Sequence, residues 1–454
     1  MSTGSYGMSA ARAQPVGLVA QYAWALFDGA RSPYNVLVNI FVFSAYFSAV
    51  VVPDPVRGQV LWSYTSSVAA LLVAFGAPVL GAIADAAGRR KPWLLGTVIV
   101  GVPSMCALWF ATPAMSTGLY GIMAAVVGGT LFYEYSGIFC NAMLPNIASG
   151  KRIGFLSGLG YALGNGVGVL LFLFFLFSWS WNPQPLFGLD AHLHEPERAV
   201  GILAAVCLVV LGAPLFLLTP DSPPSANSIR DTVAHGLRAL GQTVAKLGSY
   251  KNVAVFLVAR MIFNEGFVVM MLFTGVFAAT IMHWTPDMLI TQGLINSVAA
   301  AVAGVAAGRI DQRIGSKRAT MLFIAGAALA NVVICSVTPD TVLFVRLPHP
   351  IARPSGMFAT VPDQVFMVAE VAIAFFVTGG LATSRALMAK LTPPAMLNEF
   401  FGLYAMSGTA TTFLGPAAIG ALTSVFHDNR IGVAVGIVFL SSGFLLMFKV
   451  REES

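Results

Sequence analysis

The chain has 454 residues, of which 57% are hydrophobic and only 10% charged, with a formal net charge of +6. Soluble domains carry roughly 25% charged residues, so this composition, with a mean hydropathy of +0.80, excludes a string of ordinary soluble domains. The positive charge does not point to nucleic acid either, because the basic residues scatter over many short segments instead of forming one patch.

Residues 1–17 are polar and rich in Gly and Ser, and lack the basic region and short apolar core of a cleaved signal. They are expected to form a cytoplasmic tail. Twelve apolar segments follow, at roughly 20–51, 59–84, 93–111, 118–143, 154–180, 199–218, 252–281, 289–307, 319–337, 364–389, 400–426 and 431–448. Runs of about 20 residues cross a bilayer core of about 30 Å as helices, and in lipid each backbone amide must be satisfied within its own segment. The alternating pattern of a membrane barrel is missing. The predicted fold class is therefore all-α integral membrane. The first and seventh segments are long and hold polar residues, as helices lining an internal path require. Between the sixth and seventh lies a linker, 220–251, that opens with the helix-breaking Pro220-Asp221-Ser222-Pro223-Pro224. Within it Ile229, Val233, Leu237, Leu240, Val244 and Leu247 recur at helical spacing, which predicts an amphipathic tether on the cytoplasmic membrane face. Residues 450–454 are expected to be a second cytoplasmic tail.

An even number of spans puts both termini on one side. The loops on that side hold 18 of the 25 basic residues and all seven lysines, against five arginines on the other. The positive-inside rule makes the rich side cytoplasmic, which predicts a bacterial inner-membrane protein with both termini inside. Cys106, Cys140, Cys207 and Cys335 lie within or beside apolar runs without metal-type spacing, so no disulfide, metal or cofactor is expected.

A glycine-rich, charged loop occurs twice. Gly81-Ala82-Ile83-Ala84-Asp85-Ala86-Ala87-Gly88-Arg89-Arg90-Lys91 begins at 81 and Gly308-Arg309-Ile310-Asp311-Gln312-Arg313-Ile314-Gly315-Ser316-Lys317-Arg318 at 308, 227 residues later. Pro145/Gly154 and Pro393/Gly402 repeat at an offset of 248, and Asp28-Gly29 and Glu265-Gly266 at 237. The differences fall in loops. Three echoes in order predict two six-helix halves, 18–219 and 252–449, in the same orientation.

This architecture resembles the major facilitator superfamily, whose loop motif Gly-x-x-x-Asp-x-x-Gly-Arg-Arg/Lys is matched by Gly81, Asp85, Gly88, Arg89 and Arg90. The resemblance implies that this loop joins helices two and three on the cytoplasmic side and helps to close one end of the path. The second copy departs from the pattern: Asp311 stands one place early and Gln312 takes the acid position. Longer strings resemble the vacuole-effluxer-like branch, the autophagy-related amino-acid effluxers of fungi and their bacterial relatives. They are Trp24-Ala25-Leu26-Phe27-Asp28, Arg31-Ser32-Pro33-Tyr34, Ser384-Arg385, Leu391-Thr392-Pro393, Glu399-Phe400-Phe401-Gly402-Leu403-Tyr404 and Gly415-Pro416. Gly29 and Arg31 stand where that branch often has Trp and Asn, and Asn264-Glu265-Gly266 where Asp-Gly is commoner.

An ionisable residue within a span costs about 2.5–3.5 kcal/mol on insertion scales and is a functional candidate for that reason. Asp28 and Arg31 are three apart and share a helix face. Arg31 either compensates Asp28, presents a cation to an anionic solute group, or completes a structural ion pair. Tyr34, Asn35 and Asn39 extend the polar character of the first span. Glu134, inside Tyr133-Glu134-Tyr135, lies deep in the fourth, where burial disfavours charge and suits proton coupling; pairing with a basic residue of a neighbouring helix is the alternative. Asn141 follows two turns later. In the seventh span Glu265, with Asn264, is a second proton or solute candidate, whereas Arg260 reads as structural. Glu370, near the outer end of the tenth, is expected to reach interfacial water. Arg385, Glu399 and Asp311 join the loop motif as cytoplasmic gate candidates.

Together these features predict a secondary transporter rather than an enzyme, since no span holds a catalytic cluster. A monomer in membrane lipid would move a small polar solute by alternating access, coupled to protons, with amino acids or peptides as the class the resemblance implies. Sugar-like or peptidoglycan-fragment solutes, and a non-transporting sensor of the same fold, are the alternatives.

Overall fold

The structure, a computed structural model, describes residues 16–86, 89–148, 151–182, 184–221, 241, 248, 250–347, 356–393 and 397–452. The first half contains α1 (Leu18–Val51), α2 (Pro55–Ala86), α3 (Lys91–Ala107), α4 (Leu119–Ile147), α5 (Lys151–Phe175) and α6 (Glu195–Leu218). The second contains α7 (Lys251–Thr280), α8 (Pro286–Ile314), α9 (Ser316–Ser336), α10 (Val361–Leu391), α11 (Leu397–Ser407), α12 (Leu414–Phe426) and α13 (Asn429–Met447). Among the described residues, eleven helices are long and apolar enough to cross a membrane. The predicted tether helix over 229–247 lies, apart from residue 241, outside the described residues.

The eleventh expected segment, 400–426, is not one helix. It breaks over 408–413 into α11 and α12. Gly408, Thr409, Thr411 and Thr412 are poor helix formers, and Thr412 Oγ1 turns back to the Thr409 carbonyl at 3.0 Å. Pro416, in the first turn of α12, has no N–H to carry the helix backwards. The expected long outer loop also contains structure, an antiparallel hairpin of β1 (Thr341–Val342) and β2 (Val345–Arg346).

Within the first half α1 packs on α5 and α6, and α4 on α2 and α3; within the second α7 packs on α13, and α10 on α8 and α9. α1 and α7 are the most buried spans, at 61% and 67% of their apolar windows. In α1 the backbone widens into π-type turns at Tyr34–Phe41 and Phe47–Val51, beginning just after Pro33, whose ring nitrogen cannot donate.

The end of the bundle that carries the repeated loops, called here the basic end, is built twice on one plan. In the first half the Asp221 carboxylate, just beyond α6, accepts from the backbone N–H groups of Arg90 and Lys91 at 2.9 and 3.2 Å, while Lys91 Nζ donates to the Phe216 carbonyl at 2.8 Å. In the second the Glu452 carboxylate, beyond α13, accepts from Ser316 and Lys317 N–H at 3.0 and 2.8 Å, while Lys317 Nζ reaches the Phe448 carbonyl at 3.3 Å. Each acid satisfies the orphan amides and positive dipole end of the third helix of its half. Gly315, immediately before α9, has φ 86°, a conformation that side chains with a Cβ resist.

Candidate functional site

In the first half, Arg31 on α1 organises the polar groups. Its Nε donates to Asp28 Oδ1 at 2.8 Å and its Nη1 to the Tyr133 carbonyl at 2.9 Å, and the guanidinium lies 4.7 Å from the centre of the Tyr133 ring. Glu134 on α4 is within electrostatic reach of the same guanidinium. The structure therefore brings Asp28, Arg31 and Tyr133 together, with Glu134 next to Tyr133 on α4 and no ion pair between it and Arg31 among the described residues. Asp28 and Arg31 keep 23% and 18% of their side-chain surface, so the pair is partly exposed rather than sealed in packing. Asn39 and Asn35 continue the stripe, 3.5 Å apart. Tyr34 does not join it: its hydroxyl donates to the Val126 carbonyl at 2.7 Å, inside the α1–α4 contact. Asn141 is exposed and makes no contact with the cluster among the described hydrogen bonds.

In the second half the polar groups of α7 serve the break between α11 and α12. Arg260 Nη1 donates to the Tyr404 carbonyl and to Ser407 Oγ, both at 2.7 Å, and its guanidinium sits 3.7 Å from the Tyr404 ring centre. Asn264 Nδ2 donates to the Gly408 carbonyl at 3.1 Å, and the Gly415 N–H donates to Glu265 Oε2 at 2.9 Å. A cation thus meets the C-terminal, negative end of α11, and a carboxylate meets the N-terminal, positive end of α12. Arg260 and Glu265 do not pair; each satisfies backbone groups freed by the break. The sequence echo has a structural counterpart here, because Asp28 lies against Gly160 of α5 as Glu265 lies against Gly415 of α12.

Glu370 corrects an expectation. It does not reach water: it is 2% exposed and accepts from Gln292 Nε2 of α8. An acid ten residues into a helix has bilayer-depth neighbours on every side once α7 and α8 pack over it.

The hydrogen bonds joining the halves, among the described residues, cluster away from the basic end. Gln59 Nε2 of α2 donates to Thr423 Oγ1 at 2.9 Å and to the Asn429 carbonyl at 3.1 Å, Asn429 Nδ2 reaches the Pro55 carbonyl at 3.4 Å, and deeper in the seam Ser67 Oγ donates to the Phe413 carbonyl at 2.9 Å. No periodicity marks these residues in the sequence.

Of the gate candidates, Gly81 has open space around it, Arg89 and Arg385 are exposed, and Arg90 uses its backbone N–H on Asp221. Asp311 accepts from Ser316 Oγ and lies 3.7 Å from Lys390, which is also 3.5 Å from Glu452. The displaced acid of the second copy therefore has partners within its own half. Gly88 and the side chains of Asp85 and Glu399 lie outside the described residues. A separate groove of about 440 Å³ between α9 and α10 is lined mainly by apolar side chains such as Leu329, Val368 and Phe376, with Gln364 the one polar side chain among them.

Two halves of six spans each, α11 and α12 counting as one broken span, meet through α2 with α12 and α5 with α8 and carry ionisable clusters on the central helices; they define a membrane transporter of the major facilitator type. The family described as vacuole effluxer Atg22 like matches residues 55–454, and the chain belongs to it. It is similar to YxiO of Bacillus subtilis, an uncharacterized MFS-type transporter, at 22% identity over 448 residues and 95% of both chains. It also resembles autophagy-related protein 22 of Cryptococcus neoformans, 25% identical over 276 residues, a match that covers 59% of this chain and 48% of that protein. Among solved structures, the nucleoside transporter NupG has a TM-score of 0.63 at 14% identity, covering 95% of this chain and 97% of that one. A D-xylose–proton symporter has the same TM-score of 0.63 at 14% identity, with 96% and 97% covered. At such identities these structures bear on the fold alone.

Proposed function

We propose that the chain is a secondary active transporter that moves an amino acid or peptide-like solute by alternating access, coupled to protons. The observation that carries this reading is the half-open Asp28–Arg31 pair beside Tyr133 and Glu134. An ion pair with solvent access can exchange partners with a zwitterion: Arg31 takes the solute carboxylate, and Asp28 or Glu134 takes its ammonium. Such a site favours zwitterions over neutral sugars. Membership in the effluxer family supports a transporter. In this reading the halves are 18–219 and 252–449, joined by 220–251, and rock as a monomer about the central site. The positive-inside rule places the basic end, and both termini, in the cytoplasm of a bacterial inner membrane. The far-end seam is then the outer gate, closed in the present structure.

The test is uptake and efflux in sealed vesicles with a panel of amino acids, short peptides and sugars, with and without a proton gradient. Gradient-driven movement of a zwitterion is the expected result. Binding of solutes with no flux of any of them would sink the transport reading in favour of a sensor. Flux of sugars alone would replace the solute class.

A further inference from the structure

Glu370 lies in a polar pocket that has too many acceptors. Its polar neighbours are Gln292 and Asn296 of α8 and Thr274 of α7; Gln292 Nε2 donates to Oε2, whereas the Thr274 hydroxyl is turned to the Met270 carbonyl at 2.9 Å. Glu370 and Gln292 are 2% and 1% exposed. Three buried oxygens here, Glu370 Oε1, Gln292 Oε1 and Asn296 Oδ1, have no donor. Buried acceptors are normally satisfied, and one proton on Glu370 supplies the missing donor to either amide oxygen. A metal cation fits less well, since Gln292 Nε2 already directs an N–H at Oε2.

No charged group replaces that proton among the described residues. Thr274 is the polar neighbour on α7, whose Arg260 and Glu265 serve the α11–α12 break. On α9 the titratable Cys335 faces Asn331 Oδ1 and the Arg430 carbonyl. On α10 itself Asp363 accepts from Trp284 and Thr360, and at the start of α13 Arg430 pairs with Asp428.

The pocket also sits directly behind the contact between the halves. Thr274 is followed by Gly275, where an added Cβ would lie 2.7 Å from the Ile40 carbonyl oxygen of α1. Gln292 is followed by Gly293, where a Cβ would lie 3.1 Å from Phe172 of α5 and 3.2 Å from Phe41 of α1. The side chains that hold Glu370 and the glycines that let the halves touch are therefore adjacent residues on the same two helices.

We propose that Glu370 is a proton-binding site, neutral while the far end is closed, and that its ionisation releases α7 and α8 from α1 and α5. Losing the proton leaves a buried carboxylate with a single strong donor, and satisfying it requires α7 or α8 to shift or water to enter. Either change disturbs Gly275 and Gly293. The proposal rests on the proton-coupled reading above and adds a proton site outside the Asp28 cluster.

The test uses the full chain in lipid nanodiscs, without solute. Infrared difference spectra across a pH titration, in H₂O and D₂O, read protonated carboxyl groups, and hydrogen–deuterium exchange reads the far ends of α7 and α8. In the wild type one buried carboxyl band should disappear as pH rises, with loss of far-end protection at the same midpoint. Glu370→Gln, which supplies an N–H donor at all pH values, should lack the band and stay protected throughout. Glu370→Asp should keep one titrating band with a displaced midpoint. A wild-type band pattern and a loss of far-end protection that are both unchanged in Glu370→Gln would overturn the proposal, as would a response that follows sodium replacement by choline at fixed pH. Because no solute is needed, a chain that shows the Glu370 signals yet moves no solute refutes only the transport reading. A chain with gradient-driven flux and an unchanged band in Glu370→Gln refutes only this proposal.

Discussion

Gln59 and Thr423 are 364 residues apart in sequence, belong to different halves, and are joined by a 2.9 Å hydrogen bond with neither residue exposed. The bond sits near the far ends of α2 and α12, beside Asn429, which bridges Thr280 of α7 at 3.1 Å. Removing one member strands buried partners. Gln59→Leu is therefore expected to weaken the closed state by about 1–3 kcal/mol, a roughly 5- to 150-fold shift in the closed-to-open ratio. Faster hydrogen exchange in the first turns of α2 and the last turns of α12 would show it; unchanged exchange there would mean the seam is held elsewhere.

Arg31 makes two directed hydrogen bonds and stacks on Tyr133, which a lysine cannot reproduce with one ammonium. Arg31→Lys should lower solute flux about tenfold or more while the protein remains folded, a loss of roughly 1.4 kcal/mol or greater. Asp28→Asn and Glu134→Gln should each abolish gradient-driven flux and leave solute exchange measurable. Vesicle flux assays decide; full activity in both acid variants removes them from the mechanism.

Arg260 and Glu265 are assigned to holding the α11–α12 break. A charged donor lost from buried acceptors costs about 1.5–3 kcal/mol per bond, so Arg260→Met should lower the unfolding temperature markedly. Arg385→Ala, at an exposed position, should change stability by no more than about 0.5 kcal/mol. Glu265→Gln keeps an acceptor for the Gly415 N–H and is expected to retain gradient-driven flux. Loss of coupling in that variant alone would restore Glu265 as a proton site.

The two basic-end caps are independent copies. Asp221→Ala and Glu452→Ala should each destabilise the chain by about 1 kcal/mol, as helix N-terminal caps do. The losses should add, since the pairs share no partner. A thermal-unfolding cycle of the two single variants and the double variant measures this directly.

His194, in the loop before α6, donates from Nδ1 to Glu197 at 3.2 Å. That hydrogen bond raises its pKa above the ordinary value near 6.5, against the opposing effect of partial burial. A raised histidine stabilises fully below its unfolded pKa and loses that contribution as pH rises through the folded value. Unfolding temperature should therefore decline from about pH 6.5 upward, and His194→Gln should flatten the profile. The effect is small, because the imidazole is 35% exposed.

The helices, their number within one break, and the duplicated plan were readable from residues alone. A bilayer imposes a length and an apolar composition on each span, and duplication leaves echoes at fixed offsets, so both signals are local or periodic. Lys91 and Lys317 are 226 residues apart and Phe216 and Phe448 are 232 apart, close to the 227 of the repeated loop, and could have exposed the paired caps. The Asp28–Arg31 pair was also legible, since three residues on a helix fix a shared face. Other features were set by contacts between distant segments. Tyr34 and Asn35 are neighbours in sequence, yet one is packed against α4 and the other is partly open. Glu370 looked like a residue near water until α7 and α8 closed over it. Gln59, Thr423 and Asn429 carry no pattern that links them. Periodicity reports which face of a helix is apolar, and only the packing of one helix on another decides which polar groups end up buried together.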